Sequence, residues 1–291
     1  MLPDFPLPLC DTPRDFLPIG KWVNGIINHL LDNDSAGFDA VGRCINALAE
    51  AVEHGLQALP AWLLIALFVG VGFWRLSWRF ALFVGLALAL IAGIGFWPQT
   101  IVTLGLTFSA TVLSLLIGIP LGIWCANTAR VNALVRPVLD LMQTMPAFVY
   151  LIPAAMLFGL GRVPGILATV IFAMPPAVRL TSLGIRQVNQ EQVEAGHAFG
   201  ANGWQLLFKV QLPIALPTIM TGVNQTIMMA LSMVIIASMV GAGGLGNDVL
   251  SSIQRLDVGL GFESGLSVVL IAIILDRITE SFARRGAAPT R

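Results

Sequence analysis

The uncharged stretch between Arg79 and Arg130 limits the possible fold more than any other feature of the chain. It contains fifty residues without Asp, Glu, Lys or Arg. A helix needs about 20 apolar residues to cross a bilayer, so a stretch of this length fits two crossings. Of all 291 residues, 56% are hydrophobic and 11% are charged, whereas soluble domains carry about 25% charged residues. The sequence therefore predicts an all-α, polytopic integral membrane protein.

Seven hydrophobic segments have the length of a crossing, and we predict a membrane-spanning helix for each. Pro98 divides the fifty-residue stretch into the second and third spans. The last span is weaker, because Asp276 and Arg277 fall in its final turns, where long side chains can reach the membrane surface. The predicted spans are residues 55–74, 80–97, 99–126, 141–161, 163–184, 214–240 and 264–283.

The positions of Lys and Arg between these spans predict the orientation. Cytoplasmic loops of membrane proteins carry an excess of both residues. If residues 185–213 face the cytoplasm, the opposite side receives only Arg162 and Arg255 in its loops, besides three basic residues in the N-terminal tail. Seven spans then place the N-terminus outside and the C-terminus inside. The basic residues on the cytoplasmic side are Arg75, Arg79, Arg130, Arg136, Arg186, Lys209, Arg284, Arg285 and Arg291.

The N-terminal tail, residues 1–58, overlaps the start of the first span and has a different character. It begins with several prolines and has no basic stretch ahead of an apolar core, so it does not indicate a signal peptide. Apolar residues recur at helical spacing over residues 20–58, which indicates amphipathic helices. We predict that these helices lie on the outer membrane surface. Pairing of Cys10 with Cys44 is left open, and the three cysteines have no metal-binding spacing.

The segment between the fifth and sixth spans, residues 185–213, is polar and interrupted by glycine. Residues 190–199 can form one helix, and Gly200 is a natural left-handed residue to end it. A second helix begins at Gly203, and Pro213 and Pro217 mark the start of the sixth span. In water this second helix exposes Leu207, Phe208 and Val210. Such a patch usually marks a protein contact, although an amphipathic connector lying on lipid headgroups has the same pattern.

This segment resembles the EAA loop of permeases of ATP-driven bacterial importers. The family pattern is Glu-Ala-Ala, three residues, Gly, nine residues, Ile, one residue and Leu-Pro. Here Gly196 replaces the second alanine and Val210 replaces the isoleucine. The matching residues are Glu194, Ala195, Gly196, Gly200, Val210, Leu212 and Pro213. The resemblance implies a type I ABC importer permease fold, with a core over 98–283 and a coupling loop at 186–213. The apolar and charged segments add two N-terminal spans in 59–97 and a cytoplasmic tail at 284–291.

Longer stretches resemble permeases for glycine betaine, proline betaine or choline. They are "MQTMPAFVYLIPAAMLFGLGRVPG" (142–165), "MPPAVRLTSLGI" (174–185) and "FKVQLPIALPTIMTGVNQTIMMALSMVIIASMVGAGGLG" (208–246). The resemblance implies a subunit of the bacterial cytoplasmic (inner) membrane that carries quaternary ammonium solutes and hydrolyses nothing itself. It also implies that a separate cytoplasmic ABC ATPase binds ATP and Mg and contacts the loop through the apolar side chains and Glu194 of the loop. A separate extracytoplasmic binding protein is expected to deliver the solute. Such importers have two ATPase subunits and therefore two coupling sites, and one permease has too few spans to enclose a pathway. A permease homodimer is then the simplest assembly.

Few residues are candidates for the transport pathway itself. Met145, Phe148 and Tyr150 open the fourth span, and aromatic faces suit a quaternary ammonium ion. Core packing explains Phe148 equally well. Asn224 lies early in the sixth span, where polar side chains usually bond to a neighbouring helix. Outside the pathway, Arg179 and Asp140 near the cytoplasmic span ends are predicted to have a structural role, at the membrane surface or as an ion pair.

Other classes of function fit the sequence less well. A net charge of zero gives no basic field for nucleic acid. "GAGGLG" (241–246) matches a dinucleotide-binding pattern but follows a membrane span, so we predict an irregular turn there. An ion-coupled transporter wants carboxylates deep in the membrane, and spans one to six hold none deeper than Asp140. A metal site or an enzyme needs clustered ligands or catalytic groups, and the three histidines are scattered. An importer of another small solute, such as an amino acid, stays open.

Overall fold

The structure, a computed structural model, describes the backbone of residues 19–286, and within that range it is helical and contains no strand. This confirms the all-α prediction. The α-helices are α1 (Ile19–Gln57), α2 (Ala61–Arg75), α3 (Trp78–Ile94), α4 (Trp97–Asn127), α5 (Ala129–Thr144), α6 (Phe148–Phe158), α7 (Arg162–Arg186), α8 (Gln190–Ala198), α9 (Gly203–Leu206), α10 (Leu212–Ala237), α11 (Leu245–Arg255) and α12 (Val258–Gly286).

Four helical segments of the described chain are long and apolar enough to cross a membrane. They are α4, α7, the continuous helical segment Gly203–Val240 that contains α10, and Val258–Phe282 within α12. They correspond to the third, fifth, sixth and seventh predicted spans. The number rises to six if each of two sharply bent helix pairs is counted as one crossing. The remaining apolar helix, α3, has only 17 residues.

The fourth predicted span, residues 141–161, is wrong as a single helix. The chain instead forms α5 and α6, whose axes meet at 94°. Pro146 explains the break, because a proline ring disfavours helical backbone in the residue before it. Met145 accordingly has an extended backbone, with φ −72° and ψ 138°. The segment between the third and fourth predicted spans is therefore mostly the first part of α5.

The first predicted span is wrong at its start. Residues 55–57 belong to α1, and the helix that follows begins only at Ala61, after Pro60. The part of α1 from Gly37 to Gln57 meets α2 at 94°. The second span ends at Gly95, where φ is +96°, rather than at Pro98. Pro98 lies in the first turn of α4, where its missing N–H costs no hydrogen bond.

The centre of the bundle is α7, which packs against α4 on one side and α10 on the other. Glycines at both contacts bring the helix backbones close together. A Cβ atom added at Gly122 of α4 would lie 2.7 Å from the Thr181 Cβ, and one added at Gly222 of α10 would lie 3.0 Å from the Leu180 Cβ. Small residues at helix contacts are typical of membrane proteins, where close backbone approach replaces hydrophobic burial as the source of attraction.

The described part of α1 packs on the bundle, a docking role that its amphipathic pattern did not predict. Ile45 is buried, and the Phe38 ring meets the Phe158 ring edge-on at 5.7 Å. Glu53, nearly buried, forms an ion pair with Arg162 at 2.5 Å. An amphipathic pattern shows which face of a helix is apolar but not what covers that face. Residues 1–18, including Cys10, lie outside the described residues.

The Glu53–Arg162 pair makes a test of this packing possible. Glu53→Gln should loosen α1, because it removes the carboxylate that balances a partly buried guanidinium. We expect a cost of about 1–2 kcal/mol, less than for a fully buried pair because Arg162 keeps some contact with solvent. Amide hydrogen exchange of residues 37–57 should accelerate about tenfold.

Glu50→Gln is the matched control for this experiment. Glu50 is exposed on the same helix, and its carboxylate accepts a hydrogen bond from Asn46 one turn away. This change should leave exchange in residues 37–57 nearly unaltered. Equal acceleration in both variants would show that the ion pair does not hold α1 on the bundle.

Candidate functional site

The first half of the 185–213 segment has the predicted structure. α8 begins after Asn189, whose side chain accepts a hydrogen bond from the Glu191 backbone N–H at 3.1 Å. It ends before Gly200, which has a φ of +78°. The helix predicted for residues 190–199 and the left-handed glycine that follows it are therefore confirmed. Glu194 lies exposed on α8, and its carboxylate has no bonded partner among the described residues.

The second half of the segment differs from the prediction in how it connects to α10, the next long helix. Asn202 and Gln205 cap α9 reciprocally, each side chain accepting the other's backbone N–H, at 2.8 and 3.0 Å. A π-helical turn, Leu207–Gln211, then leads directly into α10. Pro213 does not interrupt this helix. It offers no N–H, so the helix passes from π to α register there without leaving a donor unpaired.

The π turn changes which apolar residues face outward. Leu207 is only 6% exposed and packs with Ile185, Ala215 and Ile219, so its predicted exposure is wrong. Phe208 is exposed as predicted, whereas Val210 is half-buried. Leu207 thus holds the loop to α7 and α10.

Two exposed aromatic residues of this loop were missed from the sequence. Phe199 is 91% exposed at the end of α8, and Trp204 is 73% exposed on α9. Trp204 stacks on Phe208 with ring centroids 5.7 Å apart. The spacing of four residues between these two rings was the signal that could have found the pair. We call Glu194, Phe199, Trp204 and Phe208 the coupling face.

Gly196 has a structural reason for its departure from the family pattern. A Cβ atom there would lie 2.6 Å from Leu206 Cδ1, and Leu206 is itself buried. Glycine therefore lets α8 lie against α9, which offsets the helix propensity that it loses relative to alanine. The two short helices form one packed unit. A groove of about 760 Å³ lies beside this unit and the end of α4, lined in part by Trp124, His197 and Trp204.

Three of the four pathway candidates lie together and one lies apart. Met145, Phe148 and Tyr150 are at the bend between α5 and α6. Tyr150 packs against a buried cluster that includes Met233, and its buried hydroxyl has no hydrogen-bond partner among the described residues. Asn224 is nine residues from Met233 along α10, or about 13 Å.

Asn224 joins two helices. Its amide nitrogen donates to Asp276 at 3.1 Å, and its carbonyl oxygen accepts a hydrogen bond from the Thr279 hydroxyl. Both partners lie on α12. This is the commoner role expected for a polar side chain within a span, and it leaves the amide with fewer groups to offer a passing solute.

Asp140 and Arg179 form an ion pair at 2.5 Å, which confirms the structural role predicted for them. Arg179 also donates to the Gln143 side-chain oxygen at 2.7 Å. The pair connects α5 with α7 close to the bend at Met145.

The glycine-rich segment after α10 is the predicted irregular turn. Gly241, Gly243 and Gly244 all have positive φ, and the Leu245 N–H at the start of α11 donates to the Thr103 hydroxyl at 2.9 Å. The segment joins helices and adjoins no strand in the described chain. Among the described residues, no group of three or more His, Cys, Asp or Glu side chains is arranged to hold a metal ion.

The exposed loop between α7 and α10, two helices long enough to cross a membrane, is expected for one known protein family. Residues 118–286 match the family described as the binding-protein-dependent transport system inner membrane component. The chain belongs to this family. The resemblance identified from residues 194–213 is thereby confirmed, and the protein is a transport permease subunit of the inner membrane.

Curated relatives of this permease extend over nearly the whole chain. It is 46% identical to the glycine betaine/carnitine transport permease protein GbuB of Listeria monocytogenes, over 93% of this chain and 97% of that protein. It is also 46% identical to the glycine betaine/proline betaine transport system permease protein ProW of Escherichia coli, over 93% of this chain and 77% of that protein.

The permease fold is also that of a solved transporter. An inward-facing structure of the MetNI methionine ABC transporter aligns with a TM-score of 0.60 and 20% sequence identity, over 69% of this chain and 97% of that chain. Identity at this level speaks for the fold alone. The predicted type I ABC importer permease fold is confirmed.

Proposed function

We propose that this permease carries glycine betaine, a related betaine or choline into the cell, driven by a separate cytoplasmic ATPase that docks on the coupling face. The observation that carries the proposal is the exposed aromatic surface on a packed loop between α7 and α10. Exposed apolar surface of this kind marks a protein contact. The curated relatives named for glycine betaine support the solute class.

The loop is built to transmit movement rather than to perform chemistry. α8 begins four residues after α7 ends, and α9 continues through the π turn into α10. Leu207 packs against residues of both long helices. A partner that moves the coupling face therefore moves α7 and α10 with it. ATP and Mg are held by the ATPase in this proposal, and the permease supplies the docking surface and the pathway.

The geometry supports the proposed orientation, with the N-terminus outside and the C-terminus in the cytoplasm. Glu53 of α1 pairs with Arg162, the first residue of α7, whereas the coupling loop follows Arg186, its last residue. The 25 residues between these ends span about 37 Å. α12 starts beside α11, beyond the far end of α10, and returns along α10 toward the loop. A cytoplasmic loop thus puts α1 outside and the end of α12 inside.

We further propose that two copies of the permease enclose the pathway and that an extracytoplasmic binding protein delivers the solute. The bend between α5 and α6 suits a quaternary ammonium compound. Phe148 is exposed there and offers an aromatic face to the cation.

Uptake by the reconstituted permease, ATPase and binding protein tests this function. Proteoliposomes should accumulate glycine betaine only when ATP is supplied on the side of the ATPase, because the chain shows no ion-coupling carboxylate at mid-membrane in spans one to six. Accumulation driven by a proton or sodium gradient without ATP would refute the ATP-driven mechanism. ATP-driven uptake of an amino acid, but not of betaines or choline, would refute the solute class and leave the mechanism standing.

A further inference from the structure

A cavity at the loop end of α7 carries more positive charge than the protein neutralises. It lies between α4, α5 and α7, has a volume of about 350 Å³, and receives three arginines but only one carboxylate. Its polar lining comes from Asn132, Arg136, Asp140, Arg179, Ser182 and Arg186. Neither the coupling face nor the proposed pathway includes any of them.

The three guanidinium groups have different partners. Asp140 balances Arg179 at 2.5 Å. Arg186 donates to the backbone carbonyl of Cys125, which is a neutral acceptor, so its charge stays uncompensated. Arg136 has no hydrogen bond or ion pair with any described residue. Two positive charges therefore face one cavity without a counter-charge from the described part of the protein.

We propose that this cavity binds a phosphate-type anion, either the headgroup phosphate of an anionic lipid or free phosphate. Planar guanidinium groups bind phosphate oxygens through paired hydrogen bonds, which makes arginine clusters typical phosphate sites. Asn132 and Ser182 add neutral donors to the lining. A betaine is zwitterionic and choline is a cation, so neither solute brings net negative charge to the two arginines. The inference therefore does not depend on which solute the permease carries.

The position of the cavity gives the bound anion a mechanical effect. Arg136 is on α5, whereas Arg186 is the last residue of α7, four residues before α8. An anion held by both arginines joins α5 to the base of the coupling loop. It adds to the Asp140–Arg179 pair, which connects the same two helices. Occupancy should therefore stabilise the packing of α5 on α7.

Arg136→Gln tests the site, with Arg130→Gln as its matched control. Both arginines are exposed on α5, and the two substitutions remove the same charge, but Arg130 does not line the cavity. Neither change removes a bond to a described residue, so both variants should fold. The protein is reconstituted in phosphatidylcholine nanodiscs, and its thermal unfolding is followed while inorganic phosphate replaces chloride at constant ionic strength. A second arm replaces phosphatidylcholine stepwise with phosphatidylglycerol at fixed salt.

The unfolding temperature should rise and then level off with increasing phosphate, with increasing phosphatidylglycerol, or with both. Arg136→Gln should weaken the apparent affinity for the anion about tenfold, which corresponds to the loss of one charge-assisted contact. Arg130→Gln should change that affinity less than about twofold, because the charge of Arg130 is outside the cavity. The responding arm identifies free phosphate or the lipid headgroup as the source. Absence of saturation in both arms, or equal loss in the two variants, would overturn the proposal.

Discussion

Gly200→Val should reduce solute uptake at least tenfold while the protein still inserts in the membrane. Gly200 has a φ of +78°, and a β-branched residue is strained in that region by about 1–3 kcal/mol. The turn is closed by the Gly200 N–H donating to the His197 carbonyl at 2.9 Å and by the Ala201 N–H donating to the Gly196 carbonyl at 3.1 Å. Valine should open this turn and change the angle between α8 and α9. No membrane-crossing segment is altered.

The measurement is uptake in proteoliposomes together with retention of the ATPase during purification. Asn202→Ser is the control, since serine also caps a helix N-terminus and keeps the start of α9. Its uptake should stay close to that of the unaltered permease. If Gly200→Val retains full uptake and full assembly, the fixed angle between the two helices is not needed for coupling.

Local signals account for what the sequence predicted correctly. The end of α8 could be placed because a glycine follows a short helical segment, and the four long helices could be placed because their apolar runs exceed the bilayer thickness. The bend at Met145 also had a local signal in the proline that follows it. Hydrophobicity continues through that bend, so length alone gave one span where the chain forms two helices.

Contacts between distant segments account for what the sequence did not predict. The apolar stripe of α1 fits a lipid surface as well as it fits the bundle, and only its contacts with distant residues, such as Phe158 and Arg162, reveal the packing. The orientation of Leu207 depends on the π turn, which shifts the helical register by one residue. Arg136 and Arg186 are fifty positions apart in the sequence, and the packing of α5 on α7 brings them to one cavity.

Phe199→Ala should weaken binding of the ATPase by a factor of about ten to one hundred. The ring is 91% exposed and makes no ring contact within the described chain. Its removal should therefore leave the fold of the permease unchanged. Aromatic side chains are enriched at protein interfaces, and full burial of a phenylalanine contributes about 1.5–3 kcal/mol, which corresponds to that range of affinity.

Phe262→Ala is the matched control, because it removes the same side chain from a position that is 70% exposed near the start of α12. That position lies at the end of the bundle opposite the coupling loop, so binding of the ATPase should stay within about twofold of the unaltered permease, as for a surface change that touches no interface. The measurement is the affinity of the purified ATPase for the permease in nanodiscs, with the unfolding temperature of each variant as a check on folding. An equal loss of ATPase affinity in both variants would mean that the effect is not specific to the coupling face. A loss in Phe199→Ala alone places Phe199 at the ATPase contact, because the two changes remove the same exposed side chain at opposite ends of the bundle.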